Sequence, residues 1–593
     1  MIRQFRHLWE VLSYEQRRKL GLLQIMVVVI SLFELVTIGM IAGFMGIVSD
    51  KSKLDVYLNN LGITLPESAT FSVVLFSISC LIFIFLTVSS LLSVLMTKKI
   101  NQISLGFGHD LTVRLFDFYQ TRDWIFYVKN NSSILSNRVL IESNRLKNAI
   151  LMPAVNMLSR LVFIFFVSFA ILSYDIETSL LVMLLFVSGY FFISIMIRKR
   201  LQKNGSLISE ANQQKSKIVN EALTNTKSAI LLDKRKYFVD SFEKQSFLQS
   251  QAQASTVTMA GAPRYMMEWL AYIVMVLIIM FNLIIKGDDF STMIPLLTVY
   301  GLAAFKLLPS LQQVYNSLAT IKGNISVIDI LKSELSLSVI DSKPREDIHP
   351  IPFEESLEIS QGCFSYDNNE RLALNEISLK IRKYEKIGFV GHSGSGKSTL
   401  IDVLCGLLSL NRGQFKVDGK IIEDLSAWYH NVSYVPQSVN LLDATIAENI
   451  AFGVDYEKID WDKVNKAVEL SCLTDLVDSF SEGLNSQLGE NGIQISGGQR
   501  QRISIARALY AESEILIFDE ATSALDGITE NQIMESIEKL SGKKTIIMVA
   551  HRLKTIRNCD RIYFMKQGEL VDEGSYQYLV DNNECFREMD KFA

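Results

Sequence analysis

Net charge, cysteine and metal-type spacings are all in short supply in this chain. Its 593 residues set 59 Lys and Arg against 63 Asp and Glu, a balance of only −4. That balance names no partner, and no nucleic acid is expected. The six cysteines are Cys80, Cys363, Cys405, Cys472, Cys559 and Cys585, with no CxxC or other metal-ligand spacing. They read as ordinary reduced thiols and exclude a disulfide framework. A cleavable signal peptide is not expected either, because the apolar run after Lys19 is too long and lacks a small-residue cleavage pattern. Two long polar stretches, 97–147 and 198–263, carry little Gly or Pro punctuation. They read as helix, not as loop.

What the chain has is apolar length. Hydrophobic residues make up 49% of it, in long runs up to about residue 310 and in short, glycine-broken runs beyond 350. At this length more than one domain is expected. The asymmetry predicts a membrane domain at 1–330, a linker at 331–353 and a soluble domain at 354–593. A bilayer core needs about 20 apolar residues in a helix. Six segments fit: 22–48, 71–96, 149–172, 179–197, 265–285 and 293–308. Lys and Arg cluster before the first span and after the second and fourth, whereas 173–178 holds only acids. Both termini and the two polar stretches are therefore expected on the cytoplasmic side. Each stretch must turn at a tip, near 130–137 and near 216–226, and such tips could press on the soluble domain. The gap 50–68 is open to two readings, a short amphipathic helix on the outer surface or a plain loop.

Ionisable groups inside spans are costly, about 2.5–3.5 kcal/mol each on insertion scales. Glu34 lies in the first span, Arg264 and Glu268 open the fifth, and Lys306 lies late in the sixth. One reading pairs Arg264 with Glu268 and lets Lys306 snorkel to the interface. The other places Arg264 and Lys306 along a central cavity that attracts an anion.

In the second half, an apolar strand at 386–390 runs into GHSGSGKST at 391–399 and then an apolar helix. Strand, glycine loop and helix are the setting of a phosphate loop. Glycines Gly391, Gly394 and Gly396, with Ser393, Ser395 and Thr399, aim backbone N–H groups at phosphates at a helix N-terminus. Lys397 supplies a formal charge, and Ser398 can ligand Mg²⁺. The expected cofactors are thus ATP and Mg²⁺. A second apolar strand, 515–518, ends in Asp519 and Glu520. Asp519 can hold Mg²⁺ through water, and Glu520 can act as general base on the attacking water.

Between these motifs stands ISGGQ at 495–499. The motif order resembles the nucleotide-binding domain of ABC transporters, and the helical half resembles their exporter-type membrane domain. The resemblance implies a six-helix all-α transmembrane domain fused to an α/β P-loop nucleotide-binding domain. It implies that Ser496, Gly497 and Gly498, with Gln499 behind them, bind the γ-phosphate of ATP held by a second copy. Ile495 stands where the family usually has Leu. The same resemblance makes Tyr366 the adenine-stacking aromatic and Gln437 the sensor of Mg²⁺ and water. It makes Asp526 the residue crossing the dimer seam and His551 the γ-phosphate switch.

A homodimer with two competent ATP sites follows, opening and closing to export or flip an amphipathic substrate. Ala262-Pro-Arg264 with Glu268, Lys306-Leu-Leu-Pro309, and the stretch from Glu15 to Glu34 are similar to lipid-linked oligosaccharide flippases of bacterial glycosylation loci. That implies a polyprenyl-pyrophosphate glycan as substrate and the bacterial inner membrane as location. It implies Arg264, Lys306 and Glu34 as substrate residues, with Lys306 where an Arg is usual. A multidrug or lipid exporter is the alternative, and an ATP-gated channel or regulator a second.

Overall fold

In a bilayer no water satisfies open backbone groups, so long apolar runs must close their hydrogen bonds within helices. The computed structural model describes residues 13–49, 54, 71–174, 176–281, 290–331, 334, 351–366, 372–489, 492–521, 527–550 and 553–591. Its first half is helical: α1 (Tyr14–Ser49), α2 (Phe71–Gln120), α3 (Trp124–Lys129), α4 (Ser132–Asn137), α5 (Met152–Tyr174), α6 (Ile176–Thr224), α7 (Thr226–Leu231), α8 (Arg235–Phe281) and α9 (Phe290–Asn324). Five of the expected spans fall within helical segments, and the fifth does so as far as residue 281. Three stretches, Tyr14–Val48, Phe71–Gln120 and Ser132–Ser173, hold windows apolar enough to cross a membrane by length and composition. The 50 residues of α2 make about 75 Å of helix, against a hydrocarbon core of about 30 Å. Much of α2, and likewise of α6 and α8, must therefore run beyond the bilayer. Of the gap 50–68 only Leu54 is described, buried with Ile47 and Val74.

Two compact units emerge: Met1–Arg122 with Asn130–Lys343, and Asp123–Lys129 with Pro344–Ala593. In the first, α6 and α9 approach closely at Gly205, where a Cβ would sit 2.1 Å from the Gly323 carbonyl oxygen. Arg145 ties this crossing together. It donates to Asn324 Oδ1 at 2.7 Å, to Ser209 Oγ at 2.5 Å and to the Gly205 carbonyl at 3.2 Å. Between α4 and α5 the helical path loosens into two π-helical turns, Arg138–Glu142 and Lys147–Leu151. Such turns recur at functional sites.

The tips lie at 121–131 and 225–234, displaced from 130–137 and 216–226. Side chains, not Gly or Pro, make the turns. Thr121 Oγ1 and Arg122 Nε both donate to the Phe118 carbonyl, ending α2, and Asn131 caps α4 through the Ser133 N–H. After α7, Asp233 takes a left-handed φ of 51°.

In the second unit, β3 (Lys386–Gly391), β6 (Val432–Val435), β7 (Ile515–Asp519), β8 (Thr545–Val549), β9 (Arg561–Lys566) and β10 (Glu569–Gly574) form one sheet in the order β10-β9-β3-β8-β7-β6. All neighbours are parallel except β9 and β10. Every residue of β3 and β8 is buried, as a sheet covered on both faces requires. A second, antiparallel sheet is ordered β2-β1-β4-β5, from β1 (Ser356–Phe364), β2 (Leu374–Arg382), β4 (Arg412–Val417) and β5 (Lys420–Ile421). Its inner face packs with Phe389, Leu400 and the fully buried Trp428 in one core. A third cluster joins the helices Trp461–Leu470 and Gly497–Tyr510 around Ile446, Leu473 and Ile503.

The α3 segment belongs to this unit. Ile125 packs on the core, and Trp124 Nε1 donates to Asp402 Oδ2 at 3.3 Å. Burial pushes the Asp402 carboxyl up to about 6; the Trp124 bond opposes this and Asp519 adds to it. The folded state thus holds this proton to higher pH than the unfolded chain. Its contribution to stability is greatest below the unfolded value and is lost as pH rises through about 6. Asp402→Asn should therefore stabilise the protein at pH 7.5, by on the order of 3 kcal/mol, with the gain vanishing towards pH 4. Melting curves of both proteins in detergent across that range check this; a gain independent of pH would contradict it.

Candidate functional site

The site grows from the carboxyl ends of the parallel strands, where open α/β sheets bind ligands. Strand β3 ends at Gly391, opposite Met565 of β9. A Cβ on Gly391 would lie 2.2 Å from the Met565 carbonyl oxygen, so only glycine fits. The loop then turns into the helix Lys397–Leu404 through Gly396, whose φ of 100° disfavours any side chain. Lys397 is buried, and its Nζ donates to the carbonyls of Gly391 at 2.7 Å and His392 at 3.1 Å. Burial lowers the pKa of this amine, while Glu520 and Asp519 act to raise it. Ser395 Oγ is buried with no hydrogen-bond partner among the described residues.

Asp519, the last residue of β7, pairs with Val549 of β8. Tyr434, on β6, donates its hydroxyl to Asp519 Oδ2 at 2.9 Å. Burial first, and then the Asp519 charge, pushes the Tyr434 hydroxyl up, so it remains a donor. Gln437 Nε2 donates to Glu520 Oε2 at 2.6 Å. Glu520 holds a left-handed φ of 50°. Its N–H donates to the Val549 carbonyl at 3.0 Å, and its own carbonyl accepts from Gln501 Nε2 at 3.3 Å. A non-glycine residue in that region is strained and persists only when neighbours fix it.

Ser393, Gly394, Gly396, Lys397, Ser398, Thr399, Gln437, Asp519 and Glu520 all line one cleft of about 690 Å³. Tyr366 stands beside it, with its hydroxyl 3.2 Å from Thr399 Oγ1 and its ring edge-on to Phe364. The cleft thus joins amide donors and an ammonium to two carboxylates. Ser398, Gln437 and Asp519 offer hydroxyl, amide and carboxylate oxygens, a donor set that suits a hard cation retaining water and phosphate ligands.

Ser496, Gly497 and Gly498 are not among the residues lining that cleft. Ser496 caps the 14-residue helix Gly497–Tyr510, its Oγ accepting from the Gln499 N–H while Gln499 Oε1 accepts from the Ser496 N–H. Ser496 and Gly497 are exposed. Asp526 and His551 lie outside the described residues.

In the first unit, each expected substrate cation has a carboxylate. Arg264 Nε lies 2.7 Å from Glu268 Oε1, and both are exposed. Lys306 Nζ lies 3.5 Å from Glu34 Oε2, whose other oxygen accepts from Ser93 Oγ at 3.0 Å. Lys306 and Glu34 are thus brought together, and Arg264 makes a pair of its own.

Four residues with notable contacts escaped the sequence. Tyr434, Gln501 and Gln567, which lines the cleft, carry no local signal. Arg160 carried one, a cation inside the 149–172 span. It donates from Nε to Gln313 Oε1 at 2.9 Å.

Fold and site together define a membrane-embedded transporter half powered by a P-loop ATPase. Residues 20–303 match the ABC transporter transmembrane region, and 374–523 match the ABC transporter ATPase family. An ATP-dependent lipid A-core flippase of Paraburkholderia xenovorans is 31% identical over 79% of this chain and 79% of its own. One from Pseudomonas fluorescens is 30% identical over 81% and 79%. A heterocyst differentiation ATP-binding protein of Nostoc is 28% identical over 80% and 77%. The solved structure of a bacterial Atm1-family ABC exporter with ATP bound superposes with a TM-score of 0.78 at 19% identity, covering 97% of both chains. The chain belongs to the ABC transporter family, as an exporter-type half-transporter that couples ATP hydrolysis to translocation.

Tyr434→Phe tests the Asp519 anchor. Freed of its donor, Oδ2 should reorient, and the magnesium concentration for half-maximal ATPase should rise about tenfold. An unchanged magnesium dependence would leave Tyr434 a packing residue only.

Proposed function

We propose that two copies of this chain clamp two ATP molecules and flip a polyprenyl-diphosphate-linked oligosaccharide across the bacterial inner membrane, with both termini cytoplasmic. The observation that carries the dimer is the separation of parts. Lys397, Ser398, Gln437, Asp519 and Glu520 share one cleft, while Ser496 and Gly497 stand exposed at a helix start apart from that lining. A helix N-terminus presents free N–H groups and a partial positive charge to an anion. A second copy's γ-phosphate is the anion we assign to it. In that site Lys397 and the loop amides hold the phosphates. Ser398, Gln437 and Asp519 hold Mg²⁺, which neutralises charge on the transferring phosphoryl group. Glu520, held on Gln437, takes the proton of the attacking water. Tyr366 stacks on adenine, and Asp526 and His551 complete the seam.

Closing the sandwich favours one arrangement of the helical bundle, and hydrolysis releases it. This is a shift between two states biased by nucleotide. For the cargo, Arg264 and Lys306 are cations suited to a diphosphate. The lipid A-core flippase relatives favour a second reading, in which the cargo is a lipid A-core.

Glu520→Gln should lower ATP turnover at least about 100-fold, on the order of 3 kcal/mol, while trapping a dimer with two nucleotides. Size measurement in nanodiscs with radiolabelled ATP reads both. A variant that hydrolyses at the wild-type rate would refute the general base, and a wild-type monomer hydrolysing at full speed would refute the clamp. Arg264→Ala with Lys306→Ala should abolish stimulation of the reconstituted ATPase by a polyprenyl-diphosphate oligosaccharide. Stimulation by lipid A-core but not by that lipid would select the second reading.

A further inference from the structure

One cavity in the first unit is left unused by the ATPase and by the charged pairs. It measures about 440 Å³ and lies between the start of α5 and the last third of α9. Amides and hydroxyls from Asn148, Asn156, Gln312, Gln313, Asn316 and Ser317 share its lining with the apolar Met152, Pro153 and Pro309. No charged side chain is among its lining residues. Primary amides carry two donors and an acceptor each, which matches the paired donor and acceptor character of sugar hydroxyls.

Three observations mark it as a built site. Asn316 Oδ1 is buried and has no hydrogen-bond partner among the described residues. An unmet acceptor at a polar cavity is costly unless a ligand or water completes it. The wall at Asn148 is one of the two π-helical turns, and Pro153 and Pro309 line the same cavity. Proline has no N–H to return to the carbonyl four residues earlier, so each wall lacks one rung of its helical hydrogen-bond ladder at this level. Finally, Gln313 accepts from Arg160 Nε at 2.9 Å, so a cation is held at the edge of the amide cluster. Unlike Arg264 and Lys306, Arg160 pairs with no carboxylate among the described residues.

We propose that this cavity binds the sugars nearest the diphosphate of a lipid-linked glycan, with Arg160 set for the adjoining phosphate. The inference rests on the flippase reading and extends it from the lipid's charge to its carbohydrate. Neutral amides read the sugar, and the arginine fixes which end of the glycan enters. Asn316 and Gln312 are then specificity-determining residues for the carried molecule.

The test uses full-length protein in proteoliposomes with two probes, undecaprenyl diphosphate and the same lipid bearing an oligosaccharide. In the wild type the glycosylated probe should stimulate ATPase half-maximally at a concentration about tenfold lower than the bare lipid. In Asn316→Leu, and separately in Gln312→Ala, that tenfold advantage should disappear while the bare lipid's own value stays within twofold. Two variants on different turns of α9 guard against misfolding of either, and melting temperatures report it directly. If both variants are folded and keep the wild-type sugar advantage, the cavity is not the sugar site, although the flippase reading stands. If the glycosylated probe has no advantage in the wild type, the sugar inference falls on that result alone. If neither probe stimulates the wild type, both readings fall together.

Discussion

Parallel pairing of β3, β8 and β7 brings three strand ends to a common level, and the catalytic arrangement in the second unit depends on that register. Gly391 closes β3, Val549 closes β8 and Asp519 closes β7, so the phosphate loop and the acidic pair open into one cleft. Backbone hydrogen bonds between buried apolar runs hold that level. A slip by one residue would turn every side chain of a strand to the opposite face. The strain at Glu520 is tolerable for the same reason. Its N–H is bound to Val549, and its carbonyl is bound by Gln501, so the left-handed backbone is fixed from two sides.

The first unit is organised by a different constraint, the close approach of long helices. Gly205 and Gly323 let α6 and α9 touch backbone to backbone. The half-buried Arg145 then spends its donors on three neighbours at that crossing. A polar hub of this kind resists sliding of one helix along the other, because each displacement would strand a buried donor. Rigid-body movement of the bundle is the motion such a hub allows.

What was legible in the sequence was what is local along the chain. GHSGSGKST is nine contiguous residues, and six of them, Ser393, Gly394, Gly396, Lys397, Ser398 and Thr399, line the cleft. The Arg264 and Glu268 pair was legible because residues four apart share a helix face. The Tyr434 bond to Asp519 spans 85 residues and depends on β6 lying beside β7, which no periodicity reveals. Lys306 and Glu34 likewise come from different helices, and neither reading of Lys306, as a snorkelling cation or as a cavity cation, foresaw its carboxylate. The tips were misplaced because Thr121, Arg122 and Asn131 make their turns with side-chain hydrogen bonds. None of these residues is a strong punctuator in the way of Gly or Pro. Arg160 was overlooked for a plainer reason, since one cation in a long apolar run is easily read past.

The pairing of Lys306 with Glu34 and of Arg264 with Glu268 bears on how an anionic cargo is chosen. A cation that already faces a carboxylate offers little to a singly charged ligand, which would exchange one such contact for another. A diphosphate differs, because its several oxygens can take a cation's donors together in charge-assisted bonds. Paired cations therefore discriminate by charge density instead of by charge alone, and they avoid an unpaired charge within the membrane at rest. Arg160, resting on the neutral Gln313, follows the opposite logic. Its charge is only partly compensated, so under the proposed function it is more open to a phosphate than the paired cations are. Under the proposed function, a cargo whose phosphate and sugar adjoin would engage both the amide-bearing pocket and the cation at its edge, whereas a lipid with either feature alone would engage only one.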